Sequence, residues 1–350
     1  GTGIANKHVP LLCRERHVPF RTLAMGRIGG LHYWADDEFD GCDELEARIR
    51  SFRNVTPDEV KAAQTDILPT GASSVFRRAI THRQALQMAI CTASRVLLQQ
   101  VYIHMRGFSK SKYGYRSISK AYSCLRTYSD WRYLNRPDCL TLDKLPKDRK
   151  LVYFPLQSEP EASLQAQSPE CSHQVALINE IALSLPADAL LVVKEHPAQI
   201  GRRPRDVYEQ VKGMSNAVLV APGESSLDLI RRSYLVCAIN SSAAYEAAIL
   251  GKKVAVFSHH GVIKAVGHVH RVDVSDCLRK IPELLTDEGA ATAARREFDG
   301  ARVYYAIRSY CIDLSPLKIY GRRETPEDSE LRLLSDAILE SLAVQQRLAS

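Results

Sequence analysis

No apolar run in this 350-residue chain approaches the ~20 residues that a membrane-spanning helix needs, and the opening residues do not read as a signal peptide. None of the nine cysteines forms a CxxC pair, and their odd number and scattered spacing exclude a disulfide framework or a zinc ribbon. Reduced thiols of a cytoplasmic protein are the expectation. There is no GxSxG, no HExxH and no P-loop, so a serine hydrolase, a zincin and a Walker-type NTPase fall away. GRIGG (26–30) is too short for a dinucleotide fingerprint, which removes the dehydrogenase reading. DDEFDGCDELEA (36–47) opens like a calcium loop but places Ala47 where a bidentate glutamate is required, so it reads as an acidic loop entering a helix. Neither a metal nor a cofactor is implied. Internal repeats, low-complexity segments and recognisable DNA- or RNA-binding motifs are also missing.

What is present describes a globular protein of two domains, with 45% hydrophobic and 25% charged residues. The net charge of +7 gathers in RGFSKSKYGYRSISK (106–120), PKDRK (146–150) and GRRPR (201–205). These clusters read either as solvated faces or as a surface for a membrane or an acidic acceptor. No nucleic-acid partner is expected.

From Leu151 onward the pattern alternates. Apolar runs at 151–156, 189–196, 217–222, 234–240 and 253–258 are separated by amphipathic stretches at 172–185, 205–214, 225–233 and 241–250. Short continuous apolar runs between helical periods mean βαβ units, hence an α/β domain with a Rossmann-like parallel sheet covered on both faces. The first 150 residues differ. VPFRTLAM (18–25) suits a strand, but 73–105 reads as one long helix, leaving too few strands for a second complete Rossmann domain. Either this half is mostly helical, or the chain begins inside a Rossmann-like domain whose first strands lie upstream. The expected organisation is an N-terminal domain (1–148), a Rossmann-like domain (149–290) and C-terminal helices (291–350), ending in a helix over 327–348.

Ligands of open α/β sheets bind outside the carboxyl ends of the strands. Here those ends carry Glu159 and Glu161, then Lys194, Glu195, His196 and Pro197, then Asn240, Ser241 and Ser242. Ser241 and Ser242 suit a helix cap, and equally a phosphate site at the helix N-terminus. Glu246 lies a turn inside a small-residue helix, either as a surface carboxylate or as a ribose ligand. His196 before Pro197 reads as a structural or a ligand-facing histidine, and Glu161 as a solvated loop carboxylate or a reactive one.

YFPLQSEPEASL, LLVVKEHPAQIGRR and INSSAAYEAAILGKKVAVF, in that order and spacing over about 150–260, resemble the bacterial capsule and surface-polysaccharide glycosyltransferases that include the β-Kdo transferases. The resemblance implies a GT-B architecture, with a terminal helix crossing back to the first domain. It also implies a CMP-sugar donor and a glycan or glycolipid acceptor at the inner face of the cytoplasmic membrane. Carried over, His196 and Pro197 contact cytidine phosphate, Ser241 and Ser242 the phosphate, and Glu246 the ribose. Gln157, Lys194, Glu195 and Asn240 complete the nucleotide-sugar site, with Glu161, Glu159 and His196 as the catalytic candidates. The family's acidic loop often reads Q-x-E-D-D-A-S, whereas this chain has Glu161 at the second aspartate. A retaining mechanism through a carboxylate nucleophile is the expectation. A UDP- or GDP-sugar or CDP-polyol donor, or a non-catalytic assembly subunit, is the alternative.

Overall fold

A computed structural model describes residues 4–67, 82–106 and 126–314 apart from positions 19, 160 and 166, together with scattered positions between 332 and 339. Most of the basic run 106–120 and of the expected helix 327–348 lies outside the described residues.

Six strands, β3 (Lys150–Pro155), β4 (Ala189–Lys194), β5 (Ala217–Val220), β6 (Leu235–Ala238), β7 (Lys253–Val256) and β8 (Val269–Arg271), form one parallel sheet in the order β5-β4-β3-β6-β7-β8. This is the doubly wound order, with its switch point between β3 and β6. The strands read as continuous apolar runs because both faces are covered. Alternate side chains serve opposite cores. Tyr153, Val192, Val236 and Val254 enter one core, while Val152, Phe154, Val193, Leu235 and Ala255 enter the other. The helices α6 (Gln174–Leu183), α7 (Arg205–Lys212) and α10 (Cys277–Leu284) cover the second face, and α8 (Ser226–Arg232) and α9 (Ser242–Ile249) the first. Strand β8 had no counterpart in the apolar pattern, since three residues are too short a run to register.

Among the described residues the N-terminal part is α1 (Ile4–Glu15), α2 (Asp43–Ser51), α3 (Pro57–Asp66), α4 (His82–Met105), a helix over 126–134 and a small antiparallel sheet. That sheet is β1 (Thr22–Met25), β2 (Leu31–Ala35) and β9 (Ile312–Asp313), with β2 in the middle. The strand expected over 18–25 is β1. The hairpin turn places Arg27 and Gly29 at positive φ, which accounts for GRIGG without any nucleotide role.

The long helix α11 (Ala290–Tyr310) joins the parts. It packs on α2, α3 and α9, and its Val303, Tyr304 and Ile307 share one apolar cluster with Tyr33, Leu45, Val60, Ala247 and Val236. Polar ties reinforce the contact: Arg48 Nε donates to Ser309 Oγ at 3.0 Å, Tyr304 Oη to Asp66 at 3.2 Å and Arg302 Nε to the Phe52 carbonyl at 3.1 Å. Gly300 permits the crossing. A Cβ there would lie 2.6 Å from the Ala248 carbonyl oxygen and closer still to that of Ile249. Alanine is the better helix former by about 1 kcal/mol, but two backbone carbonyls cannot move aside. Gly300→Ala is therefore expected to lower stability by about 1–3 kcal/mol in urea denaturation. A neutral or stabilising effect would show that the helices do not approach this closely.

Candidate functional site

The three strand ends singled out by sequence lie side by side, because β4, β3 and β6 are neighbours with Pro155 opposite Lys194 and Tyr153 opposite Val236. What binds the ends of β4 and β3 together is Arg203. Its guanidinium is buried, with Nε 2.6 Å from Glu195 Oε2, one terminal nitrogen 2.5 Å from the Gln157 carbonyl and the other 3.1 Å from Glu159. Tyr208 Oη donates to Glu195 at 2.8 Å. Burial lifts the Glu195 carboxyl above the ordinary carboxylate range, and the charge of Arg203 opposes that lift. Glu195, expected among the ligand contacts, thus has its carboxylate committed to the interior. Parity explains this: Glu195 follows Val193 onto one face of the sheet and Lys194 follows Val192 onto the other.

The basic cluster 201–205 is expected to be either a solvated face or a surface for a membrane or an acidic acceptor; Arg202 and Arg205 are exposed, but Arg203 is buried and serves neither. Positive φ at Gly201 (+85°) lets the helix over 126–134 press in at Thr127, and Arg126 donates to the Arg203 carbonyl at 2.9 Å. Gln174, at the start of α6, accepts from the Gln157 amide at 2.7 Å and donates to the Gln157 carbonyl and to Glu159. Gln199 Nε2 reaches Ser158 Oγ at 2.5 Å and the Glu159 carbonyl at 2.9 Å. These residues hold the acidic loop, and no sequence signal pointed to them.

Against this tightly bonded frame, several polar groups are left unmatched. The Gln157 side chain is only 5% exposed, yet neither its amide nitrogen nor its oxygen has a partner among the described residues. Ser241 occupies the N-cap of α9 but does not cap it, and its buried hydroxyl also lacks a partner among them. Lys194 is 4% exposed with no ion pair among the described residues, and burial pulls its amine down to about 8. His196 is half-buried, and its Nδ1 accepts from the Ala198 amide at 3.2 Å, capping the turn Pro197–Gln199. Burial, then Lys194 and Arg203, lower its pKa, so the neutral ring carries its proton on Nε2 and offers a donor.

Asn240 donates to Gln167 at 2.6 Å, tying the acidic loop to β6. Ser242 opens α9, and Glu246, one turn further, is buried; burial of the Tyr153 phenol raises its pKa, and the Glu246 charge adds to the rise. Glu161 is exposed, and its carbonyl accepts from Leu164 and Gln165, starting the helical turn Ala162–Gln165. Across this edge comes the acidic N-terminal loop. Gln167 donates to the Glu38 carbonyl at 3.4 Å, and the Phe39 ring stacks on His260 at 4.2 Å.

No group of three His, Cys, Asp or Glu side chains among the described residues is arranged to hold a metal ion. A polar surface cavity of about 390 Å³, lined by Lys61, Arg231, Lys252 and Glu297 among others, lies at the opposite, amino edge of the sheet and contains none of these groups.

Two stability outcomes follow from the electrostatics. Arg203→Met strands Glu195 in the interior and is expected to cost about 3–5 kcal/mol in urea denaturation, with Arg203→Met/Glu195→Leu recovering part of the loss. An effect under about 0.5 kcal/mol would place Arg203 at the surface instead. Because the Lys194 amine titrates lower in the folded chain than in the unfolded one, the unfolded state binds more protons between about pH 8 and 10.5, so stability rises with pH across that window. Lys194→Met is expected to flatten the rise and to be more stable than the parent at pH 7 by on the order of 2 kcal/mol. An unchanged slope would contradict the burial.

Two solved structures from Thermosulfurimonas dismutans KpsC are similar. The beta Kdo 2,4 transferase is 14% identical over 86% of this chain and 77% of that one, with a TM-score of 0.42. The beta Kdo 2,7 transferase is 17% identical over 92% and 82%, with a TM-score of 0.42. The UDP-GlcNAc 2-epimerase from Neisseria meningitidis is 12% identical over 54% and 52%, with a TM-score of 0.35. A comparison with curated proteins returns no match. The family described as capsule polysaccharide biosynthesis protein matches residues 63–261, from within α3 to beyond β7. That span is more than half of the chain and holds every strand end described above, so the chain, α/β with a doubly wound parallel sheet, belongs to the capsule polysaccharide biosynthesis family.

Proposed function

We propose that this chain is a glycosyltransferase that moves a 3-deoxy-ulosonic acid of the Kdo type from its CMP-activated form to a surface glycan or glycolipid, with retention through a carboxylate. One observation carries the reading: the Gln157 side-chain amide and the Ser241 hydroxyl, on either side of the topological switch point, are buried and unmatched among the described residues, with the buried Lys194 amine at the neighbouring strand end. Leaving such groups unpaired costs about 1–3 kcal/mol each. A ligand rich in acceptors, with a phosphate, supplies the partners.

The phosphate of CMP takes the N-terminus of α9, where free backbone N–H groups and the Ser241 and Ser242 hydroxyls meet it. Lys194 and the Nε2 proton of His196 offset its charge as the glycosyl–phosphate bond breaks, the electrostatic contribution that dominates such reactions. Pro197 turns the chain aside, and Asn240, tied to Gln167, holds the α9 entry in place. Glu246 faces the ribose. Glu161 attacks the anomeric carbon as CMP leaves with the bonding electrons. An acceptor hydroxyl then displaces the carboxylate and gives up its proton. Glu159 is anchored to Arg203 and Gln174, so it positions the loop while Glu161 reacts. The positive charge comes from the chain itself, and the reading invokes no metal. The acceptor approaches from the N-terminal side, with the protein held peripherally at the inner face of the membrane.

Thermal-shift titration with CMP, UDP, GDP and CDP-glycerol tests the donor. CMP is expected to stabilise the chain, and Ser241→Ala and Lys194→Met each to weaken it about tenfold, equivalent to about 1.4 kcal/mol. Stabilisation by a non-CMP ligand alone would overturn the donor, and no response to any nucleotide would overturn the site.

A further inference from the structure

The 24-residue helix α4 carries no Asp or Glu, and its surroundings extend that bias. Residues 67–129 hold ten Lys and Arg and no acidic residue, more than the +7 of the whole chain, so the remainder is net negative. The chain's basic character belongs to one segment.

Helix α4 is also apolar on two sides. Val96 is buried, with Leu86 and Ile103 partly so, and these face the protein. Ile90, Leu97, Val101 and Tyr102 are at least half exposed, Leu98 is 70% exposed and Met105 is 80% exposed. At the α-helical repeat these six fall within an arc of about 140°, turned away from Val96, with Arg95 and Arg106 just beyond one margin. Arg83 projects from the same outer side two turns before Ile90. No other element packs substantially against this helix among those described.

We propose that α4 is a membrane-surface helix, lying in the plane of an anionic bilayer with Leu97, Leu98, Val101, Tyr102 and Met105 in the acyl boundary and Arg83, Arg95 and Arg106 at the headgroups. The geometry suits a helix that lies on a membrane: a wide apolar face from Ile90 onward, one basic margin and no carboxylate. No described helix is long and apolar enough to cross the bilayer. Charge selects the occupant. Anionic headgroups complement the basic segment, each cation near such a surface adding to the attraction. A nucleic acid or a free acidic glycan would satisfy the arginines yet leave Leu98 and Met105 in water. The inference deepens the peripheral-membrane part of the proposed function and does not depend on the donor.

Vesicle flotation of the full chain tests it. The parent is expected to float with phosphatidylglycerol–phosphatidylethanolamine vesicles, less so at high salt, and not with pure phosphatidylcholine. Leu98→Glu/Met105→Glu and Arg95→Glu/Arg106→Glu are each expected to lose about tenfold or more of the bound fraction. Their side chains are exposed, so melting temperature should hold, and nucleotide-induced thermal shifts in the same variants report separately on the donor site. Flotation unchanged by either variant overturns the proposal. So does a parent dimer in light scattering that Leu98→Glu/Met105→Glu converts to monomer with no flotation by either, which assigns the face to a second copy. Retention on a polyanion without flotation overturns it as well.

Discussion

The carboxyl edge of the parallel sheet depends on one buried guanidinium. Three strands end at this edge in loops, and loops do not by themselves hold a shape. Arg203 gives two of them one by donating to a carboxylate at the end of β4, a carbonyl at the end of β3 and a second carboxylate in the acidic loop that follows β3. Two of these partners are charged and one is a backbone oxygen, so the guanidinium uses its planar fork fully. Taking a cation and an anion out of water is costly, and such pairs are retained where a defined geometry is needed. The geometry maintained here is that of the acidic loop relative to Lys194 and His196.

With the frame satisfied internally, the unsatisfied groups beside it stand out. Glu195, Gln174, Gln199 and Arg203 bond one another or the backbone, whereas the side chains of Gln157 and Ser241 do not find partners among the described residues. A division of labour emerges: one set of polar residues builds the edge and another faces what binds there. The helix α11 adds a second constraint. It ties α2 and α3 to α9, so the N-terminal loop bearing Glu38 and Phe39 is carried to the same edge that α9 serves.

Much of this was legible in the sequence and some was not, for physical reasons. Strands β3 to β7 announce themselves because a strand covered on both faces must be apolar throughout, and the helices between them carry the complementary period. Strands β8 and β9 are too short to show a pattern, and β2 is brief and aromatic between a glycine turn and an acidic loop. The positions of Lys194, His196 and Ser241 at strand ends followed from topology. The different fates of Lys194 and Glu195 required side-chain parity and a partner eight residues away. Arg202 and Arg203 are indistinguishable in one dimension, yet one is solvated and the other is the hub. Ser241 has the identity of a cap without performing as one, a distinction that only the hydrogen bonds reveal.

The central claim is that this edge binds a CMP-activated sugar and that Glu161 attacks it. Intact-protein mass spectrometry after incubation with CMP-Kdo measures this most directly. The account predicts a gain of one sugar residue on the parent and none on Glu161→Gln. An adduct that persists in Glu161→Gln, or transfer to acceptor with inverted stereochemistry and no adduct, would contradict it.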